Sequence, residues 1–231
     1  MNSEGVTTGS LAATPTDTGM REALSLKRHV TELESAMLAD GVGWCSVEKA
    51  TTLAAIIMAL RPKTVVELGV WMGGSAIPMA IALRQLGVGQ LVAVDAWAAE
   101  VSVAGQEPVH AKWWGETIGT SGHVEAYEAF IKRLKEHDIT ADRCRVLRQR
   151  TDEADVPPSI DVLHHDANHG PQAVIDIERW TPAIRVGGVL VIDDLDWTGG
   201  HVARARDRAT ELGFVELYAL GTGCVMQRVS R

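Results

Sequence analysis

Four residues carry groups that could do chemistry together: Asp166, His169, Asp193 and Asp194. The first two belong to the run Asp166-Ala167-Asn168-His169, and the second two are adjacent. Three carboxylates brought to one point repel one another unless a cation sits among them. A hard divalent ion, Mg²⁺ by preference, takes such oxygen ligands and keeps positions open for a substrate. It also favours the ionised form of a hydroxyl that it grips. An imidazole has the right intrinsic acidity to take that hydroxyl's proton near neutral pH, so His169 is the expected base. The bland alternatives are helix capping and strand-end polarity for the aspartates, and a structural role for His169. His164 and His165 are read as structural.

Such a cluster needs a scaffold that brings two loops together. Each acidic group follows a short apolar run, Ile160 to His165 and Val189 to Ile192, both expected to be buried strands. Upstream, TVVELGVWMGGS from Thr64 to Ser75 reads as a strand over Thr64 to Leu68, a glycine turn and a helix start. Gly69, Gly73 and Gly74 allow a sharp turn and close approach of a ligand. A dinucleotide fingerprint needs glycine where Trp71 stands, and a phosphate loop needs lysine where Ser75 stands. The turn therefore suits a nucleoside-like ligand without phosphate. Glu67 at the strand end would repel phosphate and attract a cation, a profile that S-adenosylmethionine fits. The second strand, Gln90 to Asp95, ends on an acid roughly twenty residues after the turn, the place for a ribose contact.

The remaining elements follow in order. Residues 1–19 are rich in Ser, Thr, Gly and Pro and read as a tail. Residues 20–62 hold two helices, Met20 to Leu38 and a second capped by Ser46 and stopped by Pro62. They are read either as a lid over the ligand or as packing on the sheet edge, and offer an apolar surface through which two copies could associate. Residues 63–231 form the ligand-binding domain, with Ala76 to Leu86 as its first helix. Ala96 to Gly122 lacks periodicity and carries Trp97, Trp113 and Trp114. It is expected to be a loop covering cofactor or substrate, or else to plug the core with its tryptophans. A helix over Val124 to His137 and a third strand over Arg143 to Gln149 follow, with Gln149 and Thr151 at the ligand end. A helix from Pro171 to Trp180 precedes the turn Val186-Gly187-Gly188. A further helix over His201 to Leu212 leads to a closing antiparallel hairpin, Phe214 to Tyr218 and Gly223 to Gln227. Strands alternating with helices predict an α/β, Rossmann-like, doubly wound sheet of seven strands, mostly parallel.

The 231 residues suffice for one such domain, and a net charge of −8 argues against nucleic-acid or anionic-membrane partners. Three scattered cysteines suggest neither disulfides nor a zinc site, so a reducing, cytoplasmic setting is expected.

ELGVWMGGS, VAVDAW, IDVLHHDANH and GGVLVIDDLDW together resemble the class I S-adenosylmethionine-dependent methyltransferases. More narrowly they resemble the metal-dependent O-methyltransferases of the catechol and caffeoyl-coenzyme A type and of the macrolide-sugar type. The resemblance spans Val65 to Trp197. It implies Asp166, Asp193 and Asp194 as ligands of Mg²⁺, with Asp166 and His169 as the catalytic pair. The catechol type has a lysine base and Asp-Asn at the last pair, where this chain has His169 and Asp-Asp. Glu67, Gly69, Ser75, Asp95, Trp97 and Gln149 are expected around the cofactor. The implied reaction is methyl transfer to a hydroxyl of a small acceptor, a natural-product sugar or a phenol. The family also includes cephalosporin-hydroxylase-like members, and a non-catalytic S-adenosylmethionine binder is a further alternative.

Overall fold

A computed structural model of the chain describes residues 43–230 and Glu32. The expected tail lies outside these residues, as does the first expected helix except for Glu32, which pairs with Arg84.

Seven strands form one sheet: β1 (Thr64–Leu68), β2 (Gln90–Asp95), β3 (Cys144–Arg148), β4 (Ile160–His165), β5 (Ile184–Ile192), β6 (Phe214–Leu220) and β7 (Gly223–Arg228). Their order is β3-β2-β1-β4-β5-β7-β6. The first five run parallel, and β7 is antiparallel to both β5 and β6. The order reverses between β1 and β4, so the loops leaving those two strands part and open a crevice at their carboxyl ends. The fifth strand is longer than expected. Val186-Gly187-Gly188 does not turn the chain but lies within β5, beside a register shift against β4 between Ile160 and Val162.

Strand periodicity sends alternate side chains to two cores. Val65, Leu91, Val162, Val189 and Val191 pack toward α1 (Val47–Leu60) and α2 (Ala76–Leu86). Val66, Leu68, Val92, Leu163, Leu190 and Ile192 pack toward α6 (Gln172–Trp180) and α7 (His201–Glu211). Both faces are therefore covered, as the continuous apolar runs require.

The Ser46 side chain caps α1 by accepting from the Lys49 amide at 3.1 Å. The helix ends at Arg61, whose left-handed backbone lets its N–H reach the Ile57 carbonyl. Its buried stripe is Lys49, Ala50, Leu53, Ala54 and Ile57. A lysine thus sits on the apolar face.

The segment after β2 is helical rather than a loop. It holds α3 (Ala99–Ser102), α4 (Pro108–Lys112), a π-helical turn over Trp113–Ile118 and α5 (Gly119–Glu136). Wide π turns do not keep the 3.6-residue period, which is why no helical pattern shows in the sequence here. Trp97 belongs to the core: it stacks on Phe130 and donates from Nε1 to the Trp71 carbonyl at 2.9 Å.

Two of the cradle glycines are required by the protein itself. A Cβ on Gly69 would lie 2.0 Å from the Asp166 carbonyl oxygen, and one on Gly73 would lie 2.4 Å from the Phe130 ring. Gly87, the cap of α2, shares the positive φ but has nothing within 4 Å. Gly87→Ala should therefore cost only the left-handed strain, about 1–2 kcal/mol. Gly69→Ala should cost clearly more, because the clash is with backbone that cannot move aside. Urea unfolding of the two variants checks this; equal losses would show that β4 yields easily at Asp166.

Candidate active site

The cradle is built around Asp95. Its Oδ2 accepts from the amides of Val70 and Trp71, each at 2.9 Å, and its Oδ1 accepts from the Trp97 amide at 2.7 Å. The carboxylate thus organises the turn after β1 and retains lone pairs facing the cleft it lines. Trp71 and Trp97 both have positive φ, held against their ordinary preference by these bonds.

Glu67 does not reach the cleft. It is fully buried, bonded to the Ser75 hydroxyl and to His164 Nδ1, the latter at 2.9 Å. Burial pushes its pKa well above the usual carboxylate range. It does not line the cleft, so the structure does not place it where the expected cofactor contact would need it. Burial also pushes His164 down to about 4, leaving it a neutral partner. His165 lies 3.5 Å from the buried Asp176 of α6. Both histidines are structural, as expected. Ser75 and Gly69 line the cleft. Trp97 and Gln149 do not; the first is in the core, and the second is exposed with its amide tied to the Asp95 carbonyl. Arg150, Thr151 and Asp152 stand at the wall instead.

The three aspartates do not share one point. They divide between two adjacent groups, each completed by a histidine: His164, Asp166 and Asp193, and Asp166, His169 and Asp194. In each group, atoms able to ligate a cation lie within 4.8 Å of one another. The division follows from local backbone. Val189, Val191 and Asp193 alternate onto the α1 face of the sheet, while Asp194 turns away with φ 55°. The Thr222 hydroxyl, in the turn between β6 and β7, stands between the two carboxylates at 3.3 and 3.4 Å, with one hydrogen to share between them.

The inner group holds a cation of the chain's own. Lys49 Nζ reaches down from α1 to Asp166 Oδ2 at 3.3 Å and also pairs closely with Asp193. Burial opposes the lysine's charge, but Asp166 and its acidic neighbours outweigh it and the pKa is raised. Asp193 is buried and does not line the cleft. Sequence reasoning missed Lys49. The signal was present, since a lysine in register with Leu53 and Ile57 on an apolar helical stripe needs a buried acid.

The outer group faces the cleft. His169 Nε2 lies 3.0 Å from Asp194 Oδ2. Burial raises the Asp194 pKa, but His169, Lys49 and Thr222 more than offset this and hold it below the usual carboxylate range. The His169 ring stacks on Trp197 at 4.2 Å between centroids, and the His110 ring of α4 packs tilted against the same indole at 4.4 Å. The two carboxylates, Asp166 and Asp194, fit a hard divalent cation, with the His169 imidazole beside them.

The cleft has a volume of about 490 Å³ and runs from the cradle to the outer acids. Its far wall is aromatic. Trp44 stacks on Trp71 at 5.7 Å and meets Trp113 and Trp114 edge-on at 5.5 and 5.9 Å. Of Trp97, Trp113 and Trp114, the latter two line the cleft.

A strand-tip crevice with a glycine turn and an acid after the second strand defines a nucleoside-binding α/β enzyme fold. The chain belongs to the methyltransferase family: the family model described as a methyltransferase domain matches residues 66–195, more than half of it. No curated protein matches the chain in sequence. Among solved structures it is similar to the O-methyltransferase NovP, with 17% identity over 80% of this chain and 81% of that one and a TM-score of 0.65. It is also similar to TomG from Streptomyces achromogenes, an O-methyltransferase involved in tomaymycin synthesis and solved with S-adenosylmethionine (17% identity, 93% and 96% covered, TM-score 0.57). A third similar structure is the methyltransferase PaMTH1 from Podospora anserina, bound to S-adenosylhomocysteine (15% identity, 97% and 100% covered, TM-score 0.58). The fold is that of the class I O-methyltransferases. No helix among the described residues is long and apolar enough to cross a membrane.

Asp95→Asn places an amide N–H₂ against backbone donors. It should lower stability by about 1–3 kcal/mol and weaken S-adenosylhomocysteine binding at least about tenfold. Urea unfolding and calorimetric titration read the two effects. Unchanged affinity in the folded variant would remove Asp95 from the cofactor site.

Proposed function

We propose that the chain is an S-adenosylmethionine-dependent O-methyltransferase acting on a hydroxyl of a small molecule, a natural-product sugar or phenol. The observation that carries this reading is the continuity of one cleft from the Asp95 cradle to His169 and Asp194. NovP and TomG, whose chemistry is O-methylation and, for TomG, part of tomaymycin synthesis, support the choice of oxygen and of a secondary-metabolite acceptor. The charge pattern supports a neutral or cationic acceptor. Arg150, which lines the cleft, is paired with Asp152, and Lys49 is taken up by two acids.

S-adenosylmethionine supplies a methyl group on a sulfonium, so the C–S bond breaks as a C–O bond forms. His169 accepts the hydroxyl proton, and Asp194 holds the imidazole in place and stabilises its charged form. Trp197 fixes the ring plane by stacking. The indoles of Trp44, Trp71, Trp113 and Trp114 offer flat apolar faces to a sugar ring or a phenol and exclude water. Asp166 and Asp194 would hold a divalent cation, Mg²⁺ by preference, which supplies Lewis acidity toward the acceptor oxygen. Much of the rate then rests on holding donor and acceptor in line.

Turnover is tested by following S-adenosylhomocysteine release with catechols and with hydroxylated sugars as acceptors. His169→Asn should lower kcat by about 10²–10⁴ while leaving S-adenosylhomocysteine affinity unchanged. A parallel loss of affinity would make His169 structural. Chelation should stop turnover and added Mg²⁺ restore it; full-rate turnover in chelator would remove the cation from the mechanism.

A further inference from the structure

The cluster that the acids form is not the cluster that the acids alone require. Lys49 fills the inner group from α1, an element outside the family-matched segment 66–195. Its ammonium touches Asp166 and Asp193, two of the three carboxylates at the strand tips. The third, Asp194, stands on the cleft side with His169. Three carboxylates and one ammonium leave two negative charges, the amount that one divalent ion cancels.

We propose that Lys49 is a tethered counter-cation that occupies the inner of two adjacent cation slots. The site then takes one divalent ion, at the outer slot, and Asp193 serves Lys49 rather than the ion. This rests on the functional reading above and deepens it, since it assigns the inner slot to a residue of the chain. Three features support the assignment. Lys49 lies on the largely buried stripe of α1 and borders the cleft, which sets its ammonium between the wall and the acids at the strand tips. Asp193 is buried, accepts from the Asp194 amide at 3.0 Å and from Thr222, and does not line the cleft. The left-handed backbone at Asp194 separates the adjacent carboxylates. Lys49 acts here as a fixed positive charge beside Asp166, and both residues border the cleft.

The test is Mn²⁺ binding to the full chain, followed by electron paramagnetic resonance and calorimetry, with S-adenosylhomocysteine binding measured on the same samples. Wild type should bind one Mn²⁺. Lys49→Met should bind a second ion, or bind the first at least about tenfold more tightly, because a unit positive charge beside the slots is gone. The double variant Lys49→Met/Asp193→Asn removes the ammonium and its buried partner together, so it guards against misfolding of the single variant. It should bind one Mn²⁺ within about threefold of wild type, as it removes one positive and one negative charge together and no ligand of the outer slot. Unchanged or weaker binding by a folded Lys49→Met overturns the proposal, as does loss of Mn²⁺ from a double variant that still binds S-adenosylhomocysteine. In those cases wild type still binds one ion and the functional reading stands. A wild type that binds S-adenosylhomocysteine but no Mn²⁺ sinks both this proposal and the metal part of that reading.

Discussion

The carboxyl end of the sheet depends on a buried ammonium. Carboxylates at the tips of β4 and β5 are brought together by parallel pairing, and nothing in the sheet itself can compensate them. Removing charges from water costs several kcal/mol per ion unless partners are close and well placed. Lys49 meets that requirement from above, paired with Asp166 and Asp193. The ion pair also ties α1 to the sheet tip, so the helix is fixed over the cleft by a polar contact as well as by Leu53 and Ile57. This makes α1 part of the site.

A second consequence concerns how the cleft gets its walls. Asp95 gathers three backbone amides and so fixes the turn after β1, including the left-handed backbone that presents Trp71. Trp97 locks the same turn from the core side through its bond to the Trp71 carbonyl. The π-helical turn then carries Trp113 and Trp114 to the face where Trp44 and Trp71 already lie. The aromatic wall is thus assembled from three separate stretches of chain. His110, on the same inserted segment, borders the cleft, packs against Trp197 and meets Thr198 at 2.8 Å.

Much of the fold is legible because its signals are local. The apolar runs over β1, β2 and β4, the cap at Ser46 and the glycine stop after Leu86 each announce an element with its own chemistry. The errors share a cause as well. The inserted helices after β2 break the usual period, and Val186-Gly187-Gly188 imitates a turn although β-bulged pairing carries it within a strand. Two glycines read as admitting a ligand, Gly69 and Gly73, are also required by Asp166 and Phe130, contacts far away in sequence that no local pattern shows.

The sequence alone determined the doubly wound order of strands and helices, the acid after β2, and the presence of His169 and three aspartates at strand ends. Periodicity and turn chemistry act over a few residues, so a linear reading recovers them. Only the tertiary structure decided what those groups face. It buried Glu67 behind the wall, put Trp97 in the core, and split the aspartates between two slots. It also brought Lys49, more than a hundred residues upstream, to the place where a cation was required. Partner choice for a buried charge is settled by packing and desolvation across the whole domain, and no local pattern carries that information.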